Sequence, residues 1–112
     1  MLVERKEILN EDGSVGYIES VFVSENILKT TYFLGSQRLY IAFSRGDTYS
    51  YANIGPEFYQ EFEDAESHGQ FFHKRINKKP QYPYRREYKL LPYEIEGFKK
   101  IIEEHNTEED DE

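Results

Sequence analysis

The chain has no cysteine. Disulfides, thiolate zinc sites and thiol nucleophiles are therefore excluded together. Aliphatic residues are few, and no apolar run approaches the ~20 residues that a membrane-spanning helix needs. The first residues, Met1-Leu2-Val3-Glu4-Arg5-Lys6-Glu7, carry charge where a secretory leader carries an apolar stretch. The expectation is a cytoplasmic protein with no membrane contact. Positive charge is also short. Fourteen Lys and Arg face 22 Asp and Glu, for a net charge of −8. A body this acidic does not attract nucleic acid strongly without a local exception.

Aromatic residues are abundant. Ten Tyr and eight Phe stand in 112 residues, enough for one modest core in a single domain. The charge is uneven along the chain. Glu108, Glu109, Asp110, Asp111 and Glu112 close it with an acidic run. Between residues 73 and 89, Lys74, Arg75, Lys78, Lys79, Arg85, Arg86 and Lys89 face one acid, Glu87. That window is a positive island in an acidic protein.

Periodicity gives the elements. Residues 5–10 read as a short strand or arm, and Asp12-Gly13 as a turn. Tyr17 to Val23 carries apolar groups on both faces of a strand. Ile27 to Leu34 is rich in strand formers. Leu39, Ile41 and Phe43 share one face of the next strand, and Thr48 to Ala52 returns after the Arg45-Gly46-Asp47 turn. Pro56 opens a helix with Glu57 at its positive end. Phe58, Phe62 and Ala65 form its apolar stripe, Glu61, Glu63, Asp64 and Glu66 lie mostly opposite, and Gly69 reads as its C-cap. Pro80 and Pro83 favour an extended segment over 78–90. Leu91-Pro92 starts a last helix with Ile95, Phe98, Ile101 and Ile102 on one side. The polar, acidic end from residue 107 reads as disordered.

The region from Val23 to Ile76 contains two strand-like runs, then Tyr49-Ser50-Tyr51, Gly55-Pro56-Glu57 and Ala65-Glu66-Ser67-His68-Gly69-Gln70-Phe71-Phe72. In this order it resembles the KTSC domain, a short module at the C-terminus of some lysyl-tRNA synthetases that also occurs as small stand-alone bacterial and phage proteins. The resemblance covers about half the chain. It implies an α+β fold, a small antiparallel β-meander packed by two or three helices, and it suggests RNA as a ligand. Residues 1–22 then form an N-terminal extension, a β-hairpin packed on the domain. Residues 23–106 form the KTSC-like domain, with the helices near 56–68 and 92–105 on one face of the sheet. Residues 107–112 are the acidic tail.

Two candidate surfaces follow. Tyr49 and Tyr51, two apart on a strand, point to one face. They serve either as core under the helix or as a platform for unpaired bases. Lys74, Arg75, Lys78, Lys79, Arg85 and Arg86, interleaved with Tyr82 and Tyr84, combine phosphate-neutralising cations with stacking rings. The competing reading is a solvated face paired with nearby acids. His68, His73 and His105 lack metal-ligand spacing and read as exposed polar residues. Glu61, Glu63, Asp64 and Glu66 read as a solvated helix face. No catalytic residue, metal ligand or cofactor is expected. The expected function is a non-catalytic module that binds RNA or another single-stranded nucleic acid. The alternative is a small acidic phage or accessory protein that binds and modulates a host protein.

Overall fold

The computed structural model describes residues 2–24 and 26–110. Six strands form one antiparallel sheet in sequential order. They are β1 (Leu2–Leu9), β2 (Val15–Phe22), β3 (Ile27–Phe33), β4 (Arg38–Phe43), β5 (Asp47–Tyr51) and β6 (Tyr84–Lys89). The helical segments are α1 (Pro56–Asp64), α2 (His68–Phe71) leading into a π-turn over Phe72–Ile76, and α3 (Pro92–Asp110). This is the expected α+β meander.

Short connections force antiparallel neighbours. Between β1 and β2, Gly13 takes a φ of 90° and the Ser14 N–H donates to Asp12 Oδ1 at 2.9 Å. The resulting hairpin joins the domain through its strand edge and through Ile18 and Phe22, which enter the main core. It extends the sheet, with β2 pairing to β3 from Tyr17↔Phe33 to Val21↔Lys29. Between β4 and β5, Gly46 sits at φ 98°, and a Cβ there would stand 3.0 Å from Ile95 Cδ1 and 3.2 Å from the Leu90 carbonyl oxygen. That turn needs both a left-handed residue and the missing side chain.

The main core lies on one face of the sheet. Phe22, Tyr32, Leu39, Ile41 and Tyr51 meet Tyr59 and Phe62 of α1 and Phe72 and Ile76 of the π-turn. Tyr32 and Tyr59 stack at 4.2 Å with 3° between their planes. The Tyr32 hydroxyl donates to the Ile54 carbonyl at 2.7 Å. A second cluster joins Leu28, Ala42 and Leu90 to Ile95, Phe98 and Ile102. Ala42 lies between Ile41 and Phe43, which belong to the first cluster, and adjacent strand residues point to opposite faces. α3 therefore covers the face opposite α1, not the same face as expected. The cause is β6, which carries the chain to the far edge of the sheet. There the Leu90 N–H donates to the Gly46 carbonyl at 2.8 Å, and the chain turns onto the second face.

The expected single helix to Gly69 is broken in two. Ala65 is extended at ψ 143°, and Ser67 starts α2, its hydroxyl accepting from the Gln70 N–H at 3.3 Å. Gly69 thus lies inside α2, and a serine cap overrides the glycine signal. Tyr59 and Phe62 are buried, whereas Phe58 is half-buried and stacks on Tyr82 at 4.9 Å. α3 continues to Asp110, past the boundary expected at 106. No Gly or Pro follows Gly97, so propagation meets no stop signal. The expected disorder of 107–112 is replaced by helix up to Asp110, and residues 111 and 112 lie outside the described residues.

Candidate functional site

The basic segment is not one surface. β6 alternates, so its side chains divide between the two faces of the sheet. The Tyr84 ring reaches Tyr49 at 5.9 Å and Tyr51 at 6.4 Å, on the α1 side. Arg86 follows on that side, 3.9 Å from Asp47. Arg85 turns to the other face, where its Nε donates to Glu87 at 2.7 Å and its guanidinium stands 3.5 Å from the Tyr40 hydroxyl. The Ser50 hydroxyl and then Arg85 hold the Glu87 carboxyl below the usual carboxylate range.

The other candidates divide as well. Lys74 and Arg75 are exposed on the π-turn. Arg75 lies over the rings of Phe71 at 5.0 Å and Phe58 at 5.3 Å and is 3.9 Å from Glu61. With Tyr82 stacked on Phe58, these two candidates support the outer side of α1. Lys79 is half-buried. Lys78 holds a left-handed φ of 60°, which costs a non-glycine residue about 1–2 kcal/mol. In that conformation it lines a groove with Tyr49, Tyr51, Tyr84, Phe72 and Asn77.

This groove has a volume of about 270 Å³. Tyr51, 4% exposed, forms its floor against Phe72 at 5.3 Å. Burial, with Tyr49 and Tyr84 adding to it, pushes the Tyr51 hydroxyl far above its ordinary pKa, so it stays protonated. Tyr49 is half-buried and forms a wall with Phe43 at 6.2 Å. Tyr84 is 65% exposed at the rim. The tyrosine pair divides: Tyr51 is core, and Tyr49 is half-buried at the groove. A second hollow shares Phe43 and Tyr49 with the groove and is lined further by Arg45, His73 and Asn26.

Two expectations are corrected. Glu63 is not on a solvated face. It is 7% exposed and accepts from Arg5 Nε of β1. A carboxylate this deep needs a cation, and the added hairpin supplies one. His68 is not exposed but 2% exposed, with Nε2 at 3.0 Å from the Glu63 carbonyl oxygen and its ring 4.3 Å from Phe22. Burial lowers its pKa, against the opposing effect of that carbonyl. His73 is exposed, and the His105 side chain lies outside the described residues. Among the described residues, no group of three His, Cys, Asp or Glu is placed to hold a metal ion.

Sequence reasoning missed Phe43, Phe72 and Asn77 as groove residues. Phe43 carried a strand signal only. Phe72 and Asn77 are brought there by the π-turn, whose Asn77 N–H reaches the Phe72 carbonyl at 2.8 Å, and nothing in a 3.6-residue pattern announces that turn.

Comparison with known proteins gives one family. No curated protein matches the chain. No helix among the described residues is long and apolar enough to cross a membrane. A crystal structure of a KTSC domain protein from Yersinia pestis is similar, with 28% identity, a TM-score of 0.58, and coverage of 62% of this chain and 96% of that one. The KTSC domain model matches residues 23–82, which contain β3, β4, β5, α1, α2 and the π-turn. β1, β2, β6 and α3 lie outside that stretch, as does Tyr84. By a match over more than half its length, the chain belongs to the KTSC domain family.

Proposed function

We propose that the protein is a non-catalytic, cytoplasmic module that binds single-stranded nucleic acid, RNA first, in the groove between β5, β6 and the π-turn. The observation that carries this reading is the meeting of Tyr49, Tyr51 and exposed Tyr84 with Lys78 in one groove. Stacked rings accept any base, and a cation beside them neutralises phosphate. Arg45 lines the neighbouring hollow, and Arg86 stands on the same side beside Asp47. Glu63, the buried carboxylate of α1, is paired with Arg5, which argues for binding rather than catalysis.

The protein's acidity sets the expected behaviour. Binding should be weak and fall steeply with salt. Labelled single-stranded RNA titrated at low salt tests it, using protein shortened by residues 107–112 to remove five acids. Saturable, salt-sensitive binding that prefers single strand over duplex is the expected result. No binding at low salt ends the reading and leaves the protein-partner alternative. One observation favours that alternative: Tyr88, Leu91 and Tyr93 are 60%, 51% and 72% exposed beside the start of α3.

A further inference from the structure

The sheet ends on two open edges, β1 and β6, because its strands run in sequential order. An edge strand presents a row of unpaired backbone N–H and C=O groups, to which a second chain can add. β1 is blunted. Its pairing is irregular between Leu2 and Glu4 and again between Ile8 and Leu9, and its Arg5 is held by Glu63. β6 is irregular once, between Arg86 and Lys89, and has no proline within it. Tyr84, Tyr88 and Leu91, all exposed, lie on β6 or just beyond its end.

The backbone of β6 alternates between its neighbour and the open side. The Ala52 N–H donates to the Pro83 carbonyl at 3.0 Å, and Ser50 stands opposite Arg85 in the same register. Hydrogen-bonded pairs recur at every second residue of an antiparallel ladder. The backbone groups of Arg85 therefore face β5, and those of Tyr84 and Arg86 face outward. The charges of β6 are mixed. Arg85, Arg86 and Lys89 accompany Glu87, and Arg85 and Glu87 lie side by side on the α3 face, 2.7 Å apart.

We propose that a second copy of the chain adds to this edge, β6 against β6, about a two-fold axis at Arg86. Such an axis stands perpendicular to the sheet and keeps each face on its own side, so opposed residues share a face. Charge selects the centre. Centred on Arg85, that cation meets its own copy and Glu87 meets Pro83. Centred on Glu87, carboxylate meets carboxylate. Centred on Arg86, Arg85 of each copy stands opposite Glu87 of the other. The four side chains then form a ring in which every neighbour has the opposite sign. Unlike charges directly across a strand pair stabilise it, and like charges oppose it. The two Arg86 side chains meet on the other face, each with its own Asp47 at 3.9 Å. Two copies of net charge −8 repel in most approaches, whereas at β6 they meet with no acid facing an acid.

The dimer does not depend on the nucleic-acid reading. It joins two sheets into one continuous sheet. Since like faces stay together, the two aromatic grooves open on the same side.

The lack of native cysteine gives a clean experiment on the full chain. Outward backbone makes Arg86 a hydrogen-bonded pair with its own copy, with Cα atoms about 5.5 Å apart. A disulfide spans ~4.4–6.8 Å between Cα atoms, so R86C should cross-link two copies. K6C, on the exposed part of β1, reports the other edge. Sedimentation velocity of the parent protein should show a dimer that grows with concentration. Under mild oxidation R86C should form a disulfide-linked dimer markedly faster than K6C. E87R sets arginine opposite Arg85 and should weaken dimerisation about tenfold, and the exchange R85E/E87R should restore it. Circular dichroism checks that each variant folds, and the R86C result decides the edge whether or not E87R does. A monomer at the highest concentration reached, or K6C cross-linking as fast as R86C, overturns the proposal. A dimer indifferent to E87R overturns the axis at Arg86.

Discussion

Arg5 of β1 and Glu63 of α1 form an ion pair that ties the N-terminal hairpin to the family domain. Nε of Arg5 donates to the carboxylate, whose side chain is 4% exposed while that of Arg5 is 33% exposed. The two partners lie on either side of the start of the matched region at residue 23. The hairpin is thus not an appendage: its cation compensates a buried charge inside the KTSC domain.

Removing Arg5 should expose this dependence. R5M leaves the Glu63 carboxylate buried without its cation. The expected loss is about 1–3 kcal/mol, less than for a fully buried pair because Arg5 is partly in water. R5M combined with E63Q should recover part of that loss. Urea melts of both variants measure it, and a stable single variant would show that the pair is only a surface contact.

Phe62 tests the main core. It is fully buried, 5.9 Å from Phe22 and 5.8 Å from Phe71. F62A should cost ~3–5 kcal/mol, the usual range for a large aromatic truncated in a core. An unchanged melting temperature would contradict the packing of α1 on the sheet.

His68 makes stability depend on pH. Burial beside Phe22 holds its folded-state pKa below the ordinary 6.5. Near that value the unfolded chain takes up a proton that the folded chain refuses. Stability is therefore complete above the unfolded pKa and is lost as pH falls through it toward the folded value. H68F should flatten that part of the profile. Denaturant melts on either side of the unfolded pKa check it, and an identical slope in the variant would place the titration elsewhere.

The fold was legible in the sequence where local signals agree with tertiary demand. Strand alternation around Leu39 and Ile41, the Asp12-Gly13 turn and Pro56 at the helix start each have one physical meaning. Three features were not legible. The faces of α1 and α3 were assigned alike because apolar periodicity shows that a helix is covered, not by which side of the sheet. Glu63 read as exposed because its partner lies 58 residues away. The groove was half visible: Lys78, Tyr49, Tyr51 and Tyr84 were named, but the alternation of β6 that separates Arg85 from Arg86 counts only once β6 has paired with β5. That pairing sets Tyr51 opposite Tyr84 and Tyr49 opposite Arg86.

The same alternation separates the two arginines in function. R86E, on the side of the groove, should weaken RNA binding and reduce its salt dependence, since one phosphate contact is lost. R85E, facing Tyr40 and Glu87, should change affinity less and fold stability more. Binding titrations over a range of salt distinguish them, and equal effects would mean that the strand wraps the sheet edge instead of following the groove.

Two tyrosines of β6 give the most direct test. Tyr84 and Tyr88 are 65% and 60% exposed on one strand, but the β5–β6 register shifts between Arg86 and Lys89, so that Tyr84 lines the groove and Tyr88 lies near Glu94 and Glu19 on the α3 side. Affinity for a labelled single-stranded RNA at low salt is measured for Y84A and Y88A. A base stacked on an aromatic ring is worth ~1–3 kcal/mol, so Y84A should bind about 5- to 150-fold more weakly while Y88A binds as the parent protein does. Equal affinities for Y84A and the parent, or a loss confined to Y88A, would contradict the assignment of the groove.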